Sequence, residues 1–294
     1  MAAITTVITG ATSGIGKETA IALAKKKHAL YLLVRDVAKG EMLVKQLTVE
    51  TGNHEIYVVY CNLTDLQSVY KAAETLKSKL FAINVLINNA GGIFAEFGLS
   101  TDGYELTFAA NHLGHFVLTN ALLPLLERGQ ARVINVSSEG HKIGRPAFDE
   151  LHGIKKYSSM HAYANAKLYN IFFTKSLAEK FGGKGITSFA LHPGVVKSNF
   201  WDGISWKGVT GFMKLLMTLV RPFMISAEKG ALTTIYLATQ NGLHTKSGQY
   251  FNKCRVAKTS AMANDVAARE ALWNLSQKAY DKLLSVTLVK QAEK

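Results

Sequence analysis

Short apolar runs rich in β-branched residues alternate with longer segments in which apolar residues recur at helical spacing, almost to the end of the chain. The runs comprise Ile4 to Thr9, "ALYLLV" at 29–34, "IYVVYC" at 56–61, "NVLIN" at 84–88, "ARVINVS" at 131–137 and "ITSFALH" at 186–192. Such alternation predicts an α/β fold with a doubly wound parallel sheet of about seven strands and helices on both faces. "GQYF" at 248–251 is expected to close the sheet, followed by a C-terminal helix over 262–285. In a sheet of this kind, ligands bind beyond the carboxyl ends of the strands, so functional residues should directly follow strands.

Composition narrows this picture. With 294 residues, 48% apolar residues and only 4 prolines, the chain shows no linker, and one domain over 1–294 is expected. The net charge of +13 raises the question of nucleic acid, but the lysines are dispersed. Only Lys25 to Lys27 and Lys155–Lys156 run together, and the first group closes a predicted helix, where cations suit the dipole. An anionic cofactor or a lipid surface accounts for the excess without nucleic acid. Cys61 and Cys254 are too few for a disulfide framework or zinc site, and the histidines, His28, His112, His115, His141 and His161 among them, show no metal-ligand spacing. A reduced, cytoplasmic setting is expected, with no signal peptide and no membrane-spanning run.

The first strand leads into "VITGATSGIGKE". A P-loop is excluded, because its first glycine would stand at Ala11 and Glu18 occupies the place of the magnesium-binding hydroxyl. The spacing Gly10-x-x-x-Gly14-x-Gly16 also departs from GxGxxG, yet the physics is that of dinucleotide binding. Gly10 permits a tight turn, Gly14 lets backbone N–H groups approach a pyrophosphate, and Gly16 lets the helix lie close to the strand.

Further motifs follow in order: "NNAG" at 88–91, "NHLGHF" at 111–116, in the next helix, "NVSS" at 135–138, "YANAK" at 163–167 and "HPGVVKS" at 192–198. With the TGxxxGxG loop, they make the chain resemble the short-chain dehydrogenase/reductase family over nearly its whole length. The branch containing retinol dehydrogenases and protochlorophyllide reductases is the most similar, from "VRDVAKGE" and the insert between Ser138 and Tyr163.

The resemblance implies a Rossmann-type fold and a catalytic set of Asn111, Ser138, Tyr163 and Lys167. Tyr163 would protonate a carbonyl oxygen as hydride arrives from the nicotinamide. Lys167 would hold the nicotinamide ribose, Ser138 rather than Ser137 would bond the substrate oxygen, and Asn111 would anchor a water chain to Lys167. Residues four apart share a helix face, so Tyr163 and Lys167 can point into one cleft, and the ammonium together with the cationic oxidised nicotinamide is expected to lower the phenol toward neutrality. Tyr157, in "YSSMH", lacks such a lysine. Cofactor contacts are implied for Gly10, Thr12, Ser13, Gly14, Ile15, Gly16, Asn62, Leu63, Asn89, Ala90, Gly91, Tyr163, Lys167, Pro193, Gly194, Val196 and Ser198. Asn62 stands where the family often has aspartate, and Ser198 where threonine is usual.

After the second strand, the register that the resemblance implies puts Val34 in the slot of the acidic residue that selects NAD, with Arg35, suited to a 2′-phosphate, directly after it. NADP(H) is the expected cofactor. A register slip would bring in Asp36, leaving NAD(H) as the alternative.

An apolar stretch around 200–225 is expected to cover a small hydrophobic carbonyl or alcohol substrate. Core packing or a homodimer contact would give the same composition, and 212–225 could also dock on a bilayer surface. His161 is placed near the cleft, and the insert at 139–160 at the substrate mouth. The expected function is NADP(H)-dependent interconversion of an apolar ketone or aldehyde and its alcohol. A non-catalytic dinucleotide sensor or scaffold is the alternative.

Overall fold

The protein is described by a computed structural model covering residues 3–153, 157–196 and 224–292. Among these residues, seven strands run parallel: β1 (Thr5–Thr9), β2 (Ala29–Val34), β3 (Ile56–Tyr60), β4 (Val85–Asn88), β5 (Arg132–Val136), β6 (Thr187–His192) and β7 (Tyr250–Asn252). An eighth, β8 (Arg255–Val256), pairs antiparallel with β7, giving the order β3-β2-β1-β4-β5-β6-β7-β8. The order reverses between β1 and β4, where Ile8 sits opposite Ile87. A crevice therefore opens beyond Thr9 and Asn88.

Because side chains alternate across a strand, the sheet has two apolar faces. Val7, Leu33 and Val133 face one core, with α3 (Leu66–Lys79), α5 (Gly114–Ala121), α6 (Leu123–Arg128), α7 (Ser159–Phe181) and α9 (Val266–Ala292) packed over it. Ile8, Leu32 and Ile134 face the other, covered by α1 (Gly14–Lys25), α2 (Val37–Thr51) and α8 (Ala227–Thr239). No helix among the described residues is long and apolar enough to cross a membrane.

Three expectations need correction. "GQYF" does not end the sheet: β8 lies outside it, reached through Lys253 and Cys254 at φ 49° and 60°. The C-terminal helix begins at Val266, where the Asp265 carboxylate accepts Ala268 N–H at 2.9 Å, and it continues to Ala292. "NHLGHF" does not lie in one regular helix. A single turn, α4 (Leu106–Phe108), passes into a π-helical turn at Ala109–Leu113 before α5 starts. Of the run Lys25 to Lys27, the last leaves its helix at φ 60°, and its ammonium donates to Thr51 O and Gly52 O at 2.8 Å each. That cation is spent on the carbonyls that end α2.

Candidate active site

The glycine loop crosses the crevice between β1 and α1. A Cβ on Gly16 would fall 2.1 Å from Gly10 O, so only glycine lets the helix start this close to the strand end. Ser13, at the N-cap of α1, makes no side-chain cap bond, and the first turn holds no acidic residue. Four other helices differ, with side-chain N-caps from Asp36 on α2, Asp65 on α3, Ser158 on α7 and Ser226 on α8. The backbone N–H groups at the start of α1 thus lack the partner that those helices receive, as a site for a pyrophosphate requires. These residues fit a dinucleotide.

Asn89 ties the next loop to the first. Its Nδ2 donates to Thr9 O at 2.9 Å and Gly10 O at 3.2 Å, while Asn89 N and Ala90 N both donate to Thr9 Oγ1 at 3.0 Å. Gly91 follows, where a Cβ would lie 2.3 Å from Asn111 Oδ1 and 3.1 Å from Lys167 Nζ. Asn111 is fully buried, and its amide clasps Gly92, accepting from the N–H at 3.1 Å and donating to the carbonyl at 2.9 Å.

α7 brings Tyr163 and Lys167 to the end of β5. Lys167 Nζ donates to Val136 O at 3.1 Å and lies 5.4 Å from the centroid of the Tyr163 ring. Ser137 Oγ donates to Lys167 O at 2.7 Å, bracing the helix, while the Ser138 hydroxyl bonds Tyr163 and accepts Gly140 N–H at 3.1 Å. Burial pushes the Tyr163 phenol up to about 12, against the opposing pull of Ser138. Burial also pushes Lys167 down to about 8. The polypeptide alone thus holds the phenol above its ordinary value, and the expected acidification joins Lys167 to the charge of an oxidised nicotinamide. The Lys167 ammonium is directed at the Val136 carbonyl, and burial is the larger influence on the phenol.

The remaining predicted contacts are distributed around the crevice. Arg35 is exposed just beyond β2, whereas the Asp36 carboxylate is engaged by Lys39, through N–H at 3.0 Å and Nζ at 3.3 Å. Asn62 Oδ1 accepts from Thr64 N and Oγ1, and Leu63 O lies where a Cβ on Gly114 would be 2.6 Å away. Thr12 is half-buried beside exposed Ser13. Gly14 takes φ 52°, and Gly194 takes φ 93°. Ile15, Pro193 and Val196 converge on Gly230 of α8. Ser198 and 200–223 of the expected lid lie outside the described residues.

His161 does not share the helix face of Tyr163 and Lys167. Two residues from Tyr163 on a helix, it points to the other side, where with Glu105, Tyr157 and Tyr169 it lines a cavity of about 90 Å³. Ala147, Glu150 and Leu151 of the 139–160 insert line the same cavity. Sequence reasoning missed Thr9, His115 and His141. His141 Nδ1 donates to Ser138 O at 2.6 Å while its Nε2 accepts Ser260 N–H at 3.3 Å, linking the end of β5 to the segment before α9. Its partner lies 119 residues away, so no local pattern announces it.

The model for "short chain dehydrogenase" matches residues 5–207. Retinol dehydrogenase 12 of Mus musculus is 40% identical over 92% of this chain and 84% of its own length. Retinol dehydrogenase 11 of Homo sapiens is 39% identical, over 92% and 83%. A crystal structure of an uncharacterized protein from Mycobacterium paratuberculosis superposes with a TM-score of 0.74 at 31% identity, covering 95% of this chain and 93% of that one. The NADPH-bound carbonyl reductase from chicken fatty liver shares the fold at 21% identity, with a TM-score of 0.65 over 88% of this chain and 100% of that one. With its glycine loop, its NNAG turn and its Tyr163–Lys167 pair assembled at one crevice, the chain belongs to the short-chain dehydrogenase/reductase family and is an oxidoreductase like the retinol dehydrogenases.

Proposed function

We propose that this oxidoreductase uses NADP(H) to interconvert an apolar aldehyde or ketone, retinoid-like in size and polarity, with its alcohol. The observation that carries the reading is the meeting of Ser138, Tyr163 and Lys167 at the end of β5, beside the Gly91–Asn111 contact. Gly10 to Gly16, Asn89 to Gly91 and the Pro193–Val196 turn would hold the dinucleotide, and Lys167 would hold its nicotinamide ribose. When bound, the reduced nicotinamide supplies the hydride.

Tyr163, with its phenol held near 12, is protonated at neutral pH and serves as the acid that delivers a proton to the carbonyl oxygen. Ser138 positions that oxygen. The same group takes the proton back when the alcohol is oxidised, and the phenolate this requires is stabilised by positive charge nearby. Arg35 supports the NADP(H) preference, since it follows β2 in an exposed position while Asp36 is committed to Lys39. The relatives' names support a retinoid-like substrate.

The test is NADPH oxidation by the purified chain with retinaldehyde and a panel of apolar ketones and aldehydes. Turnover that disappears in Tyr163→Phe supports the proposal. Tight NADPH binding with no turnover across the panel would favour a dinucleotide sensor or scaffold. Arg35→Ser should lower kcat/KM with NADPH by roughly 10- to 100-fold and leave NADH almost unaffected, the size of a lost charge-assisted bond. Equal loss with both cofactors would remove the NADP(H) preference.

A further inference from the structure

His115 is fully enclosed, lies in the segment that bears Asn111, and has no part in the chemistry proposed above. Its Nε2 is 2.9 Å from Thr9 Oγ1, and its Nδ1 is 3.2 Å from Asn111 O. A carbonyl can only accept, so the ring proton sits on Nδ1, and Nε2 offers a lone pair to Thr9. The Thr9 hydroxyl has one hydrogen and two lone pairs. Asn89 N–H and Ala90 N–H occupy the lone pairs, so its hydrogen needs an acceptor, and His115 Nε2 is nearer than Ile87 O at 3.4 Å.

We infer that His115 is a positioning residue for the cofactor loop, a neutral Nδ1–H imidazole that joins the two groups gripping residues 89–92. Thr9 holds the loop at Asn89 and Ala90, and Asn111 holds it at Gly92. His115 spans both holders, so the beginning and end of the turn keep a constant spacing against the glycine loop. Burial keeps the ring from protonating, down to about 3, so the link does not switch in the physiological range. The functional part of this inference rests on reading Asn89 to Gly91 as cofactor contacts.

The two arms can be cut separately. In H115Q the terminal amide reaches the place of Nε2 and keeps a partner for Thr9, whereas in H115N the amide stands near Nδ1 and keeps only the bond to Asn111 O. Expected for NADPH binding followed by fluorescence is a Kd about tenfold weaker in H115N and within about twofold of wild type in H115Q. Nitrogen NMR of histidine-labelled protein should show the Nδ1–H neutral tautomer at this site, unchanged between about pH 5 and 8. Equal Kd changes in the two variants, an Nε2–H tautomer, or protonation in that range would overturn the inference. Should H115N fail to fold by circular dichroism, Thr9→Val must weaken NADPH at least about tenfold and Thr9→Ser restore it, or the inference falls. A wild-type chain that does not bind NADPH would instead refute the functional proposal, leaving the tautomer measurement to judge the linkage itself.

Discussion

On the side of α7 that faces the strand ends, Tyr163 meets a serine hydroxyl and a buried ammonium. On the opposite side, the Tyr157 hydroxyl lies within hydrogen-bond distance of Phe94 O, Glu105 Oε1 and Thr107 Oγ1, and Tyr169 Oη accepts Ala147 N–H at 3.1 Å. Burial raises all three phenols above their ordinary value. What separates them is the set of neighbours. Around Tyr157, backbone and carboxylate acceptors fix the hydroxyl in place, and Glu105 in turn accepts Thr107 N–H and Phe108 N–H at 2.7 Å each. Around Tyr163 stand groups that can change with a reaction: a hydroxyl at a strand end and an amine near 8. Burial alone therefore does not set the proposed acid apart; the chemistry of its partners does.

The largest expected effect sharpens this contrast directly. Tyr163→Phe removes the proton donor and should lower kcat about 10³-fold, within the range for a lost general acid, with little change in NADPH affinity. Steady-state kinetics and a binding titration check both. A drop of less than about tenfold would mean that solvent or another group delivers the proton.

Lys167→Met should cut kcat about 10²-fold and at the same time raise stability. The sign follows from its depressed value. Folding lowers Lys167 from 10.5 to about 8, so between those pH values the unfolded chain binds more protons than the folded one, and stability rises with pH across the window. Below about pH 8 the wild type carries the full cost of enclosing the ammonium. The variant escapes it, and Val136 O keeps its second donor, Asn170 Nδ2 at 3.1 Å. A gain on the order of 1–2 kcal/mol at pH 7, shrinking as the pH rises through 8 to 10.5, is expected in urea unfolding. A destabilised variant at pH 7 would make the lysine a structural strut and weaken the distinction between the two sides.

How much of this could be read from the chain depends on the range of each interaction. The strands from β1 to β6 were legible because β-branched runs and loop glycines are local signals. β8 was not, since its two residues follow a turn made by Lys253 and Cys254 in positive φ, without the Asn-Gly or Asp-Gly that announces a hairpin. The motifs are local and so readable, but the direction in which the lysine's ammonium points is not. Helical spacing places Tyr163 and Lys167 on one face without saying where the ammonium ends, and it ends on Val136 O. His115 was seen only as a histidine without metal spacing, because its partner Thr9 is 106 residues away.

The smallest expected effect tests the quiet side of the helix. Tyr157→Phe deletes a hydroxyl whose loss leaves Glu105 still paired with two backbone N–H groups, so the cost should be about 1 kcal/mol in urea unfolding. Because the ring keeps its edge-on packing with Phe97 at 5.8 Å, the loop carrying Phe94 should stay in place and kcat should remain within about twofold of wild type. A larger fall in kcat at unchanged stability would show that the two sides communicate. The route would run through Glu105 and Thr107, since Thr107 O accepts the Asn111 amide at 2.8 Å.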